Sequence, residues 1–448
     1  MRTVIGLETI LVDSLDRHLW PMKGVRGRNR MSRTRREFLE TVSVATALGT
    51  IPRHALGEWP SMRDSSPTDP LGVRADFPLV NDLTYLNGAY TMPSPIQAVR
   101  AATIFLEENS SNPHSVDEMM EEANSVRRKF ARLIHASEPE IGMLFSTSDG
   151  ENIITNALNM SPGDNVVIND LHFDTSFVLY QHLAATQGIE VRIVENRDGA
   201  TPPDAFEPHI DNRTRLVSVA WVSNQNGYRH DLEELAELTH AYDAYLYADA
   251  VQGVGMLDLA VHDVGIDFLT AGGYKWLLGG FGVAPLYVRK DLLDLITVDR
   301  LGWGSVQSEG RRGDLQGATS KNYRFFEDGR KYAYATLPFV AVYQLGAALD
   351  YLLDVGISEI ERHTVKLAQD LRAGLVDQGH EVWTPPNNAS AIVTFKHNND
   401  VARVRADLEA ARIRVSLKGG GEQIRAGAAL FNNADEVARF LDITEGWI

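Results

Sequence analysis

From about residue 141 to residue 288 the chain alternates short apolar, β-branched runs with stretches of helical period. The runs are Ile141 to Phe145, Val166 to Ile168, Val191 to Val194, Leu216 to Val222, Ala244 to Ala248, Phe268 to Thr270 and Pro285 to Val288. Helix-like segments separate them, such as Asp231 to Ala241 after the Gly227-Tyr228 turn. This alternation predicts an α/β domain whose seven-stranded, mostly parallel sheet lies between helices. Ligands in that architecture gather at the carboxyl ends of strands. After Thr336 the period changes. Long helices over Phe339 to Val355 and Ile357 to Gln378, then strands near Ala391 to Phe395 and Ile413 to Leu417, predict a small C-terminal α+β domain. The expected organisation is a leader over 1–57, a linker rich in Ser, Pro and Asp over 58–75, a large domain over 76–335 and the small domain over 336–448.

The leader changes the picture of where the protein works. Thr34-Arg35-Arg36-Glu37-Phe38-Leu39 resembles the twin-arginine export signal, and the weakly apolar stretch Thr41 to Ile51 follows it. That stretch is too short to span a bilayer. A charged pair opening an amphipathic helix would also contain Arg35-Arg36, but the basic flank and apolar stretch come in the order of a signal. Met31, just ahead of the motif, leaves two readings, a long basic leader or a true start at Met31, of which the second is expected, and cleavage is expected near Ala55 or Gly57. The resemblance implies passage through the twin-arginine translocase to the periplasm or beyond; without a working leader the protein stays cytoplasmic.

Composition narrows the chemistry. The 448 residues, 44% hydrophobic and 23% charged, suit a globular body, and no run of about 18 apolar residues predicts a stable membrane span. The absence of Cys removes disulfides, thiolate metal sites and any cysteine nucleophile. Net charge is −17, with ten Lys and Arg against five Asp and Glu in residues 1–53, leaving 33 against 55, or −22, for the rest. Such an acidic body repels a phosphate backbone, so nucleic acid is not expected as a partner.

Asp249 closes the run Ala244 to Ala248, placing a carboxylate at the carboxyl end of a buried strand, where an unpaired charge is costly. The next run leads through Ala271-Gly272-Gly273-Tyr274 to Lys275, which emerges at the same end of a neighbouring strand. Spacing alone is satisfied equally by a structural ion pair and by a reactive one. Gly253-Val254-Gly255 lacks the third glycine of a dinucleotide loop, and no lipase-type elbow or paired metal histidines occur, so no metal is expected.

The stretch Tyr247-Ala248-Asp249-Ala250-Val251-Gln252-Gly253-Val254-Gly255, with Asp267-Phe268 and Gly273-Tyr274-Lys275-Trp276-Leu277, resembles the class V aminotransferase family of pyridoxal-phosphate enzymes. That family includes cysteine desulfurases, isopenicillin N epimerase and kynureninase, and the similarity runs from about Tyr85 to Leu441. The resemblance implies fold type I, pyridoxal 5′-phosphate as cofactor, Lys275 as the Schiff-base lysine, and Asp249 as the carboxylate on the pyridine nitrogen. The ring then acts as an electron sink for a substrate carbanion. Gln252 and Asn224 fall at positions facing the phenolic oxygen. Phe173 falls where an aromatic stacks on the ring, although an ordinary core Phe would also suit its context.

Phosphate is expected at the strand-to-helix turn Ser146 to Asn152, through Thr147, Ser148, Asp149 and Gly150, because free backbone N–H groups there favour an anion. Here the chain departs from its relatives: Asp149-Gly150 replaces a Thr pair, and Gly272 and Tyr274 replace a Ser and a His. Tyr274 remains a candidate donor to phosphate. Thr336 matches a threonine that reaches the neighbouring subunit's phosphate, which implies a homodimer with shared sites. Arg425 matches the arginine that grips the substrate α-carboxylate, a role suited to its forked donors, with Ala89 also on the substrate side. A surface Arg is the alternative for Arg425, and Asn432 fits the family's C-terminal pattern.

Gly419-Gly420-Gly421 reads as a flexible loop, near where desulfurase relatives carry a catalytic Cys. Lacking Cys, the chain is expected to transaminate or epimerise an amino acid. Elimination or C–S lyase chemistry on a cysteine derivative, or ligand binding without turnover by an exported protein, are the alternatives. Because the twin-arginine route carries folded proteins, cofactor loading is expected before export.

Overall fold

The computed structural model describes residues 63, 65–307 and 324–448. The leader, its twin-arginine motif and its apolar stretch lie outside the described residues. Seven strands form the central sheet: β1 Ile141–Leu144, β2 Asn165–Asn169, β3 Glu190–Val194, β4 Thr214–Ala220, β5 Tyr245–Asp249, β6 Phe268–Thr270 and β7 Ala284–Val288. Their spatial order is β1-β7-β6-β5-β4-β2-β3. β7 runs antiparallel to both neighbours, and every other pairing is parallel. All seven anticipated runs lie in this sheet, with ends shifted by a residue or two. The inner strands are buried on both faces, which is why they read as continuous apolar runs. The edge strand β3 is only partly buried and carries charge instead, with Arg192 bridging Glu190 and Asp211, a pattern that discourages pairing with another chain.

Among the described residues the longer helices that precede or interleave these strands are α1 Ile96–Ser111, α2 Val116–Leu133, α3 Thr147–Ala157, α4 Asp174–Gln187 and α5 Leu232–His240. Their starts carry the expected chemistry. Ser115 and Glu118 form a capping box on α2, and Ser146 and Asp231 cap α3 and α5. α6 Phe339–Val355 and α7 Ile357–Asp377 are bent by 79° at Gly356, which adopts φ +90. α6 packs on α1 and α2. Among the described residues no single helix is long and apolar enough to cross a membrane.

A three-stranded antiparallel sheet of β8 Ile392–Lys396, β9 Ser416–Lys418 and β10 Gln423–Gly427 has β10 in the middle. α8 Val401–Ala410 and α9 Ala434–Thr444 accompany it. The single strand expected over Ile413 to Leu417 is in fact two. Ile413–Arg414 pairs with Thr84–Tyr85, whereas Ser416–Lys418 pairs with β10, so the chain changes partners at Val415.

Within the segment expected to be a linker, Val73 is fully buried. Arg63 bonds Asp76 at 3.0 Å and Asp354 at 3.1 Å. Asp69 accepts from the backbone N–H groups of Val73 and Arg74, and Arg74 pairs with Glu436. Composition suggested a tether; these contacts fasten Arg63 to α6 and Arg74 to α9 instead.

Candidate active site

Asp249 and Thr270 end adjacent parallel strands in register, and the chain after Thr270 turns back to present Lys275. Both charged residues are only 6% exposed. Burial raises the Asp249 carboxyl above the usual carboxylate range, against the pull of nearby His172 and of a 3.0 Å hydrogen bond from the Val251 N–H. Burial also pushes the Lys275 amine down to about 8; Asp249 opposes this, and Arg425 and Lys418 add to it. Among the described residues no ion pair within 4.0 Å joins Lys275 to Asp249, so the structural pairing that spacing alone allowed does not form. Aromatic rings surround the amine instead, with Nζ 5.9 Å from the Phe173 centroid and 5.6 Å from that of Tyr274.

Beneath Phe173 lies a polar network that sequence reading missed. The Phe173 N–H donates to His172 Nδ1 at 2.7 Å, and burial holds that imidazole down to about 4 and therefore neutral. Its proton must then sit on Nε2, which donates to Ser218 Oγ at 3.0 Å. Ser218 in turn donates to Glu151 Oε1 at 2.8 Å. Tyr180 donates to the same oxygen at 2.9 Å and Ser176 to Oε2 at 2.8 Å. Burial raises the Glu151 carboxyl, while these hydroxyls oppose the shift. A sequence signal did exist: Ser176 and Tyr180 stand four apart on one face of α4, and Ser218 interrupts the apolar run of β4.

At the other end of the crevice Thr147 and Ser148 open α3, as the expected anion-binding turn requires. Gly150 is glycine for a steric reason, since a Cβ there would lie 2.1 Å from Thr270 Cγ2, where β6 abuts the helix. This accounts for Gly150, one of the two positions at which the chain departs from a Thr pair. The Asp149 carboxylate is engaged by Arg300, with the Tyr334 hydroxyl at 3.4 Å, and its N–H donates to Ser146 Oγ at 3.1 Å, so Asp149 is committed to the turn itself and brings a cation beside it. No sequence pattern marked Arg300. Tyr274 stacks on Phe281 at 4.5 Å and 17°. Thr336 is exposed in the loop before α6, outside the cluster around Lys275.

Gln252 joins three segments. Its Nε2 donates to the Ala89 carbonyl at 2.9 Å, and its Oε1 accepts from the Trp276 indole at 2.8 Å. One amide N–H remains for another acceptor. The neighbouring glycines serve packing: a Cβ on Gly253 would meet the Trp221 ring at 2.1 Å, and one on Gly255 the Trp276 carbonyl at 2.3 Å. Arg425 stands on β10 opposite Ser416 of β9. Its Nη1 donates to the Asn224 carbonyl and its Nη2 to Ser416 Oγ at 3.3 Å. It is 4% exposed, which excludes a surface role, and burial lowers it to about 10. Its Nε and the nearby Asn224 Oδ1 are buried without hydrogen-bond partners. A bound ligand would satisfy both groups. Asn432 does not join the cluster; it caps a turn through the Ala429 N–H and Glu436.

Comparison with known proteins adds a lineage. The aminotransferase class-V family matches residues 84–440. A probable cysteine desulfurase of Methanothermobacter thermautotrophicus is 29% identical over 388 residues, covering 82% of this chain and 94% of that protein. The apo structure of cysteine desulfurase from Thermococcus onnurineus NA1 is similar with a TM-score of 0.75 at 25% identity, covering 86% of this chain and 99% of that one. The complex of the cystine C–S lyase C-DES with its reaction product cysteine persulfide shares the fold, with a TM-score of 0.75 at 21% identity over 83% of this chain and 99% of that one.

Proposed function

The chain belongs to the class V aminotransferase family and is a pyridoxal-phosphate-dependent enzyme, and on that footing we propose that it acts on an α-amino acid by moving the Cα proton through Lys275, in transamination or epimerisation. The observation that carries this reading is a buried Lys275 amine, free of any ion pair among the described residues and brought down to about 8. An amine so placed is neutral often enough near neutral pH to take a proton, and basic enough to return it.

Pyridoxal 5′-phosphate, when bound, supplies an electron sink for charge developing at the substrate Cα. The residues fit it. Lys275 is the covalent attachment point, and Asp249 lies ready to hold a protonated ring nitrogen, whose charge would relieve its own buried position. Phe173 offers the stacking face, kept in place by its N–H bond to His172. The spare Gln252 N–H and the unpartnered Asn224 side chain suit the ring's polar edge. The start of α3, with the hydroxyls and N–H groups of Thr147 and Ser148, suits the phosphate, with Arg300 as neighbouring cation and Tyr274 as a further donor. Thr336, exposed in one protomer, serves the site of a second in a homodimer with shared sites. Arg425, with its unpaired Nε, holds the substrate α-carboxylate close to Ala89.

Exchange of the Cα proton with solvent tests the reading directly. Wild type in D2O is expected to exchange the Cα–H of at least one amino acid, followed by proton NMR, while Lys275→Ala does not. Cofactor-loaded wild type that exchanges none would overturn it and leave a binding protein. The similarity to desulfurases favours C–S cleavage as the second reading. With no Cys in the chain, sulfur would have to leave on the product rather than on a protein thiol. Release of a persulfide from cystine without solvent exchange into other amino acids would favour it. Export rests on Arg35-Arg36 and the stretch after it, and Arg35→Lys with Arg36→Lys is expected to keep the protein in the cytoplasm.

A further inference from the structure

We propose that the site takes an amino acid whose side chain carries a second anion, such as a four- or five-carbon dicarboxylic amino acid, and that Lys418 is the residue that reads it. The inference rests on the proposed function and deepens it by naming the substrate class.

Its basis is the geometry of the small sheet. Ser416 and Arg425 are direct partners across β9 and β10, so their side chains share one face. Lys418 is two residues beyond Ser416 on the same strand and therefore returns to that face, roughly 7 Å further along. Arg425 donates to Ser416 Oγ, which fixes which face this is. Both Lys418 and Arg425 act on the charge of the Lys275 amine, so all three cations belong to one crevice.

The charge balance there is incomplete. Among the described residues no carboxylate lies within ion-pair range of Arg425 or Lys418, and Asp174 acts on Lys418 only from a distance. Lys418 is half-buried, and burial together with the Arg425 charge lowers its amine. Two neighbouring cations taken partly out of water without counter-charges are costly. A single α-carboxylate on the Arg425 fork leaves Lys418 unmatched. A second anion at the far end of a short side chain satisfies both. The cofactor phosphate does not fill this role, because its expected seat is the start of α3, beside Arg300 rather than Lys418.

Charge-assisted recognition by one additional lysine predicts about a tenfold or greater preference for the doubly charged ligand. The test is calorimetric titration of the cofactor-loaded enzyme with glutarate and with butyrate, which lack an amine and cannot react. Wild type is expected to bind glutarate at least about tenfold tighter. Lys418→Met should erase that preference, and Lys418→Arg should restore it, which separates recognition from damage to the fold. Equal binding of the two acids by wild type overturns the inference, as does an equal loss of both in Lys418→Met, which would give Lys418 a share in the α-carboxylate instead. Binding of neither acid also overturns it, while the proposed function fails separately, only if no amino acid exchanges its Cα proton.

Discussion

Below Phe173, Glu151 accepts from three hydroxyls, and His172 uses one ring nitrogen to receive the Phe173 N–H and the other to reach Ser218. On the side of the small sheet, Arg425 keeps a buried Nε without a partner, and Lys418 has no counter-ion among the described residues. The first region is polar and saturated; the second is polar and unfinished. A satisfied buried network rigidifies, whereas an unsatisfied one is tolerable where a ligand completes it. The contrast assigns the Glu151 network to positioning the stacking residue, and the cationic wall to substrate.

Substitutions can break this contrast, beginning with the largest effect. Lys275→Ala, which joins neither region but lies between them, is expected to lower turnover by about 10⁴-fold or more while leaving the fold intact, as removal of a nucleophile and proton carrier does. Single-turnover kinetics beside circular dichroism would check both halves. Glu151→Ala should cost about 3 kcal/mol or more, because it strands three buried donors and opens a cavity. Denaturant unfolding measures this, and Glu151→Gln, which keeps an acceptor for the hydroxyls, should recover most of the loss. Ser218→Ala is expected to cost about 1 kcal/mol and to loosen Phe173 through His172, visible as a shifted cofactor absorbance.

The pH responses of Lys275 and of the Glu151 network have opposite signs. Lys275 in the unloaded protein titrates at about 8 against 10.5 unfolded, so the unfolded chain binds more protons between those values. Stability therefore rises with pH across that window, and Lys275→Met should flatten the rise. Glu151 has its folded value raised above 4.5, so its contribution falls as pH climbs above 4.5 through that value, and Glu151→Gln should remove the fall. Unfolding curves from pH 5 to pH 10 would show whether both slopes follow the assigned residues.

Much of the scaffold was legible because it rests on local patterns. Both-face burial writes a parallel strand as an apolar run, and caps such as Ser146 and Asp231 announce the helices that follow. The meeting of Asp249 and Lys275 was readable from their places at adjacent strand ends. What was not readable depends on contacts remote in sequence. Arg300 reaches Asp149 across 151 positions, Gly150 is dictated by Thr270, and Ser218 receives His172 from another strand's end. The partner change at Val415 was hidden because one β-rich run serves two edges. Residues 58–75 read as a linker because Ser, Pro and Asp signal loops, whereas Asp69 and Arg63 use the same polarity to fasten the chain there.

The most direct test of the central claim is to reduce the loaded enzyme with borohydride and locate the modified lysine by peptide mass spectrometry. Lys418 lies in the same crevice, so the experiment has a real competitor. Modification confined to Lys275, absent from Lys275→Ala, is the predicted result. Cofactor fixed on Lys418, or on no lysine while the protein still binds it, would contradict the account.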